Sequence, residues 1–237
     1  MINPTGRVVM ISGANRGIGR AIAARLYADG YTVSLGARKP ESLVPVAKQM
    51  DQARFMTHAY EALDADAPGR WIDATVARFG KIDAIVNNAG ALRAVSVTTG
   101  EEADLELMWD VNARAPWRMI RAAWPHLKAG GNGRVINVAS ISGLRVKVPL
   151  GTGLSMSKFA LVALTNGVRL EGREHGIRAA ALCPYFVDTE MAQGYGVESK
   201  DMSDPDTIAQ ATAFLIGLPN SASVATFAIT SQPEIGF

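Results

Sequence analysis

The 237-residue sequence has a single cysteine, Cys183, and lacks the marks of several protein classes. One cysteine excludes an internal disulfide framework, which is typical of a reducing compartment. Because its neighbours are alanine and leucine, we interpret Cys183 as a buried strand residue and not as a nucleophile. No apolar run approaches the roughly 20 residues that span a bilayer, and glycines interrupt any N-terminal signal peptide. We therefore expect a cytoplasmic protein without a membrane partner.

Neither sign of charge predominates, because 24 basic and 22 acidic residues give a net charge of +2, and charged residues make up 19% of the chain. Because no basic block occurs, we interpret the scattered arginines as solvated helix faces and expect no nucleic-acid partner. His58, His126 and His175 lie far apart without metal-ligand spacing, so no metal is expected. Linkers and repeats are missing too. The length then predicts one domain over residues 1–237.

A glycine-rich stretch near the N-terminus is the first positive signal. A short apolar run ends at Ser12, residues 13–19 contain Gly13, Gly17 and Gly19, and helical spacing resumes at Arg20. Glycines let the backbone turn sharply and approach a ligand closely, and a helix start offers free N–H groups to a pyrophosphate. The strand, glycine turn and helix therefore predict a dinucleotide site.

Strands and helices alternate along the rest of the chain. After the first strand, the predicted strands are 31–35, 54–57, 82–86, 134–139, 178–183 and 223–230. Helices are predicted at 42–49, 66–79, 101–127 and 154–174, and a last one is capped by Asp204 with Pro205 at its first position. The apolar strands predict an α/β fold with a doubly wound parallel sheet and helices on both faces. Such sheets bind ligands at the carboxyl ends of their strands. The residues that fall there are Gly13, Arg38, Asn87, Ser140 and Pro184.

The chain resembles the short-chain dehydrogenase/reductase family over essentially its whole length. The segments that carry the resemblance are 12–19, 87–90, 111–112, 138–143, 155–158 and 183–184. The resemblance implies a single Rossmann domain with a seven-stranded parallel sheet, assembled as a homodimer or homotetramer. It also implies reversible hydride transfer between a nicotinamide cofactor and a small-molecule alcohol, carbonyl or imine.

Cofactor contacts follow from the same resemblance. The residues it assigns to the cofactor are Gly13, Asn15, Arg16, Gly17, Ile18, Gly19, Arg38, Asn87, Ala89, Gly90, Lys158, Pro184, Val187 and Thr189. Enzymes of the family that prefer NAD have a carboxylate at the end of the second strand, where this chain has Ala37 followed by Arg38. Two cations, Arg16 and Arg38, suit a ribose 2′-phosphate, so we predict NADP(H). The alternative is that both arginines are merely solvated.

The predicted catalytic group is incomplete. The resemblance implies that Asn112 holds the long helix and a water, and that Ser140 donates a hydrogen bond to the substrate oxygen. It implies that Lys158 binds the nicotinamide ribose and lowers the pKa of a neighbouring phenol. The family's general acid is a tyrosine four residues before that lysine, but this chain has Leu154 there. Leucine cannot transfer a proton, so the proton-donor arrangement is altered.

A second departure lies after the sixth strand, where Tyr185 replaces the family's glycine. Tyr185 either supplies the proton or a hydrogen bond from another direction, or only narrows the pocket that it shares with Leu154; both alternatives stay open. Tyr195 is a further pocket candidate, within a predicted substrate-covering segment near 188–204. The pocket walls are predicted at 91–98, 144–150 and 185–199, and their small or apolar residues favour an apolar or aromatic carbonyl substrate.

These features together predict an NADP(H)-dependent carbonyl reductase or alcohol dehydrogenase whose usual acid is missing. Loss of a general acid costs about 10²–10⁴-fold in rate. Imines or activated alkenes, which need little protonation, are expected to lose least. One alternative is an NADP(H)-binding protein with little redox turnover, and another is a nonredox catalyst that uses the same pocket.

Overall fold

A seven-stranded sheet forms the centre of the protein in a computed structural model that describes residues 1–48, 50–192 and 197–231. The strands are β1 (Val8–Ser12), β2 (Thr32–Ala37), β3 (Phe55–Ala59), β4 (Ala84–Asn87), β5 (Arg134–Val138), β6 (Arg178–Pro184) and β7 (Thr226–Ile229). Their order in the sheet is β3-β2-β1-β4-β5-β6-β7, and all neighbouring pairs are parallel. This order confirms the predicted doubly wound Rossmann-type sheet.

Helices cover both faces of the sheet. They are α1 (Gly17–Ala28), α2 (Val44–Ala47), α3 (Ala67–Phe79), α4 (Glu102–Trp109), α5 (Ala115–Ala129), α6 (Thr152–Gly172) and α7 (Pro205–Gly217). Val9 and Ile11 of β1 pack in one core with apolar residues of α1 and α7. Met10 packs in the other core with residues of α3 and α5. Because successive strand residues point to opposite faces, burial of both faces requires a continuous apolar run.

The helical region predicted over 101–127 is divided in the structure. A π-helical segment, Asp110–Arg114, separates α4 from α5, and Pro116 lies in the first turn of α5. Pro125 lies inside α5 without ending it. One-turn π segments interrupt helices mostly at functional sites. This one contains Asn112, a predicted catalytic residue.

Three smaller sequence predictions are also answered by the structure. Asp204 caps α7 and accepts a hydrogen bond from the Asp206 N–H at 2.7 Å. The predicted helix 42–49 is instead a 3₁₀ turn, Pro40–Leu43, followed by the single turn of α2. Cys183 is buried as predicted. No helix among the described residues is long and apolar enough to cross a membrane.

Candidate active site

The glycine turn after β1 brings backbone segments very close together. Gly13 and Gly17 have φ angles of +64° and +49°, which glycine adopts without strain. A Cβ on Gly19 would lie 2.2 Å from the Gly13 carbonyl oxygen and 2.4 Å from Asn88 Nδ2. The N-cap residue of α1, Arg16, makes no side-chain capping bond. The first turn of α1 therefore offers uncapped N–H groups to an anionic ligand.

Two adjacent asparagines at the end of β4 have different partners. Asn88 Nδ2 donates to the carbonyl oxygens of Ser12 (2.9 Å) and Gly13 (3.1 Å), and so holds the glycine turn in place. Asn87 Nδ2 donates instead to Asn137 Oδ1 of β5 at 2.8 Å. Because the Asn87 side chain is hydrogen-bonded within the sheet, the cofactor contact predicted for this residue would have to be made by its main chain.

Both predicted phosphate-binding arginines are exposed to solvent. Arg38 directly follows β2, and Arg16 precedes α1. Arg16 Nη1 donates to Glu190 Oε2 at 2.8 Å, and the two side chains are 51% and 65% exposed. A Cβ on Gly17 would lie 3.1 Å from Thr189 Cγ2. The segment that follows β6 therefore contacts the glycine turn at two successive residues.

Asn112 is fully buried and connects two parts of the site. Its Oδ1 accepts from the Ala91 N–H at 2.8 Å, and its Nδ2 donates to the Ala91 carbonyl oxygen at 2.9 Å. The same Nδ2 lies 3.0 Å from Ser157 Oγ, and that hydroxyl donates to the Leu154 carbonyl oxygen at 2.8 Å. These bonds hold the loop after β4 against α6.

Lys158 is a buried cation beside Asn112. Its Nζ donates to the Val138 carbonyl oxygen, at the end of β5, at 2.8 Å. Burial lowers the pKa of Lys158 to about 8, because a low-dielectric environment disfavours the ammonium; the charge interaction with Cys183 opposes this only in part. Burial also raises the pKa of the Cys183 thiol to about 11, so the thiol is neutral near pH 7. A Cβ on Gly90 would lie 3.4 Å from Asn112 Oδ1 and 3.9 Å from Lys158 Nζ.

Ser140 lies at a turn that packs on α6, and Leu154 lies on α6 itself, the helix that carries Lys158. Ser140 begins the 3₁₀ turn Ile141–Gly143, and its Oγ accepts a backbone N–H two residues later at 3.0 Å. A Cβ on Gly143 would lie 2.8 Å from the Lys158 carbonyl oxygen, so this turn packs directly on α6. Leu154 lies one helical turn before Lys158, on the same side of α6, and is half-buried. The structure therefore brings these predicted site residues to one edge of the sheet.

Tyr185 directly follows β6 and is half-buried. Its side chain packs against an apolar cluster formed by Ala139, Ile141, Leu161, Ala181 and Cys183. Lys147 Nζ lies 4.3 Å from the centroid of the Tyr185 ring, within the range of a cation–π interaction. The Phe186 ring centroid lies 4.7 Å from that of Tyr185. The ring thus has apolar and cationic neighbours, and a role for its hydroxyl in proton transfer stays a prediction.

The remaining predicted site residues lie at the same edge, with one exception. Those at the ends of strands or in the segments that follow them are Asn15, Ala89, Pro184 and Val187, and Ile18 lies in the first turn of α1. Tyr195 lies outside the described residues, as does the middle of the predicted covering segment. In its described part, the Asp188 N–H donates to the Ser203 carbonyl oxygen at 3.0 Å. The start of this segment is thus attached to the residue before the N-cap of α7.

A family profile described as short chain dehydrogenase matches residues 7–199. This interval contains the glycine turn, Asn112, Ser140 and Lys158. The chain belongs to the short-chain dehydrogenase family. Membership accounts for the strand order of the sheet and for the gathering of these residues at the carboxyl ends of its strands, where doubly wound folds bind their ligands.

Individual relatives agree with the family assignment. The chain is 40% identical over 227 residues to an agropine synthesis reductase of Rhizobium rhizogenes, covering 92% of this chain and 50% of that protein. The chain thus spans about half the length of that curated relative. It is similar to an alcohol dehydrogenase from Thermococcus sibiricus complexed with 5-hydroxy-NADP, with 30% identity, a TM-score of 0.88 and coverage of 97% and 99% of the two chains. A short chain dehydrogenase from Burkholderia cenocepacia in complex with NADP has 28% identity and a TM-score of 0.89, with 97% and 98% covered.

Sequence reasoning missed three contacts in this short-chain dehydrogenase. It selected Asn87 and not Asn88, although two adjacent asparagines after a strand indicate that the two side chains point in opposite directions. It did not identify Glu190 as the partner of Arg16, nor the Val138 carbonyl as the acceptor for Lys158. The last two contacts have no sequence signal. Arg16 and Glu190 are 174 residues apart, and the acceptor for Lys158 is a main-chain carbonyl, which every residue has.

Proposed function

We propose that this short-chain dehydrogenase is an NADP(H)-dependent oxidoreductase that interconverts a carbonyl group and an alcohol, with an altered proton donor. The observation that carries the proposal is the meeting of Gly90, Asn112 and Lys158 at the carboxyl ends of the strands, beside the uncapped start of α1. The solved relatives that contain NADP or its derivative support this cofactor. The reductase name of the 40% identical relative supports the direction of carbonyl reduction.

The residues present fit a dinucleotide. The glycine turn leads into the start of α1, whose uncapped N–H groups would bind a pyrophosphate. Arg16 and Arg38 supply cations for a ribose 2′-phosphate, and Lys158 supplies one for the nicotinamide ribose. Ser140 donates a hydrogen bond to the substrate oxygen, and Asn112 keeps α6 in place through its bonds to the loop after β4. The bound cofactor supplies the hydride.

Leu154 favours a second candidate function. Leucine stands where the family resemblance places the general acid, and it has no proton to transfer. Hydride transfer depends chiefly on the positioning of the nicotinamide, so a missing acid slows carbonyl reduction by about 10²–10⁴-fold without abolishing it. Imines and activated alkenes then lose least. The second candidate is an NADP(H)-binding protein with little redox turnover. In the first candidate, Tyr185 is either a substitute donor or a side chain that only narrows the pocket, the two alternatives that the sequence leaves open.

Replacement of Leu154 separates the two functions. We expect Leu154→Tyr to raise the rate of ketone reduction by about 100-fold, because it restores a general acid one turn before Lys158. Imine reduction should rise less. Leu154→Phe is the matched control, since it adds the same ring without the hydroxyl. The measurements are NADPH oxidation with a panel of ketones, aldehydes and imines, and the Kd values of NADPH and NADH. Tight NADPH binding without turnover by any variant would favour the second candidate.

Association of two or more copies through α6 is part of the proposal. Met156, Phe159 and Leu170 are 49%, 44% and 82% exposed, and Ala163 between them is exposed too. Their spacing of three, seven and fourteen residues from Met156 places them on one helix face. An apolar stripe of this kind is typical of an interaction site. Two copies related by a twofold axis would cover each other's stripe, as in a homodimer or a homotetramer.

A further inference from the structure

Because position 154 is a leucine and not a tyrosine, another group has to supply the proton for carbonyl reduction. This inference rests on the proposed function. The substrate oxygen lies near Ser140 in that proposal. A serine hydroxyl is too weak an acid to give up its proton near pH 7. Tyr185 packs against an apolar cluster with the Lys147 ammonium over its ring, and no described contact joins its hydroxyl to Lys158. Among the described residues, the Lys158 ammonium is a buried acid at this edge of the sheet, bonded to the end of β5.

We propose that Lys158 itself donates the proton to the substrate oxygen in this chain. An ammonium carries three N–H donors, and the Val138 carbonyl uses one of them at 2.8 Å. Gly90 has no side chain where a Cβ would come within 3.9 Å of Nζ. Leu154 lies one turn earlier on the same side of α6, and its side chain is shorter than that of a tyrosine, which extends further by part of its ring and a hydroxyl group. The proposal requires a substrate oxygen or one water to reach Nζ past Leu154, on the side of α6 where the family has its phenol.

The surroundings of Lys158 keep it in a usable protonation state. Of the neighbouring side chains, Asn112 from the π-helical segment and Ser140 from the start of the 3₁₀ turn after β5 are uncharged. The titratable neighbour is Cys183 of β6, whose thiol stays neutral because burial raises its pKa to about 11. With a pKa lowered to about 8, Lys158 is protonated at pH 7 and is also a far stronger acid than an exposed lysine. A general acid works best when its pKa lies near the operating pH.

The proton step balances with the reductant already proposed. Bound NADPH would supply the hydride, losing a nicotinamide C–H bond and two electrons to become NADP⁺. The carbonyl carbon gains the new C–H bond, and its π electrons move to oxygen. That oxygen takes a proton from Nζ, so an O–H bond forms and an N–H bond breaks. Lys158 is left as a neutral amine, which regains a proton from water before the next turnover. In alcohol oxidation the neutral amine accepts the proton instead.

The pH dependence of turnover tests this assignment. For the full chain, kcat/KM of NADPH-dependent reduction should be level near pH 6–7 and fall about tenfold per unit well above pH 8, as Lys158 loses its proton. Lys158→Arg keeps the cation but lacks an acid of suitable pKa. It should lower kcat at pH 7 by about 100-fold or more, while the Kd of NADPH changes less than about tenfold. Lys128→Arg, on the exposed end of α5, is the matched control.

The outcomes distinguish this inference from the proposed function. A Tyr185→Phe variant that keeps the fall above pH 8 supports Lys158, whereas one that loses it makes Tyr185 the donor and overturns the inference. A Lys158→Arg variant that keeps both kcat and the pH profile overturns it as well. Titration of the lysine Nζ signals by nitrogen NMR provides a second readout, in which one signal absent from Lys158→Arg titrates near pH 8. If neither the natural chain nor Leu154→Tyr reduces any substrate, the proposed function fails, and the proton step fails with it.

Discussion

At the residue scale, Lys158 shows a conflict between stability and chemistry. Its pKa falls from 10.5 to about 8 in the folded protein, so the fold binds its proton more weakly than the unfolded chain does. Folding stability therefore rises with pH between about 8 and 10.5, and the penalty for the buried charge is greatest below pH 8. The charge is retained at the edge of the sheet where the predicted nicotinamide ribose and substrate oxygen meet. Such residues commonly trade stability for function.

Replacement of Lys158 by methionine should consequently stabilise the protein. At pH 7 the relieved desolvation is about 3 kcal/mol, and loss of the bond to Val138 offsets about 1 kcal/mol, so we expect a gain of about 2 kcal/mol in the free energy of unfolding. Urea denaturation at pH 7 and near pH 10 measures this. The gain should shrink at the higher pH, and Lys128→Met on the surface should show neither effect. Equal or lower stability of the variant at pH 7 would contradict the account.

At the element scale, the junction of β1 and α1 depends on close contact more than on the helix itself. The third glycine of the turn, Gly19, lies so close to the Gly13 carbonyl and the Asn88 side chain that no side chain fits between them. Asn88 in turn ties the end of β4 to the same turn. The element that is predicted to hold the cofactor is thus positioned by a neighbouring strand, not only by its own sequence.

A Gly19→Ala substitution should disrupt this turn. Its Cβ would lie 2.2 Å from the Gly13 carbonyl oxygen, so the backbone has to shift. We expect a loss of about 1–3 kcal/mol in the free energy of unfolding, and a Kd for NADPH at least about tenfold weaker. Gly69→Ala in α3 is the matched control, because a Cβ there meets nothing within 4 Å. It should leave NADPH binding unchanged and raise stability by up to about 1 kcal/mol. Fluorescence titration and thermal unfolding compare the two, and unchanged binding in Gly19→Ala would refute the close-contact argument.

At the scale of the whole molecule, the exposed stripe on α6 predicts self-association. Phe159→Glu introduces a charge at the centre of the proposed interface, which costs several kcal/mol when buried without a partner. We expect light scattering to show a dimer or tetramer for the natural chain and a smaller species for this variant. Ala129→Glu, at the exposed end of α5, introduces the same charge and should leave the mass unchanged. A natural chain that is monomeric at high concentration would rule out the stripe as an interface.

The fold could be predicted to a large extent from local sequence. Apolar strand runs, the glycine turn and the Asp204–Pro205 helix start depend on residues near one another in the chain, and the structure reproduces all three. Elements with weaker local signals were less well predicted. Pro125 lies on the exposed face of α5 and does not end the helix. The π-helical turn at Asn112 has no local signature either.

What the sequence by itself determined is the doubly wound sheet and the set of residues at the carboxyl ends of its strands. Periodicity and turn residues are properties of short stretches, so they can be read without coordinates. Only the tertiary structure decided the burial of Lys158 against Val138, the hydrogen-bond partners of Asn87 and Asn88, and the ion pair between Arg16 and Glu190. Burial, and with it a pKa, depends on atoms that distant segments bring together, and no spacing within one segment specifies them.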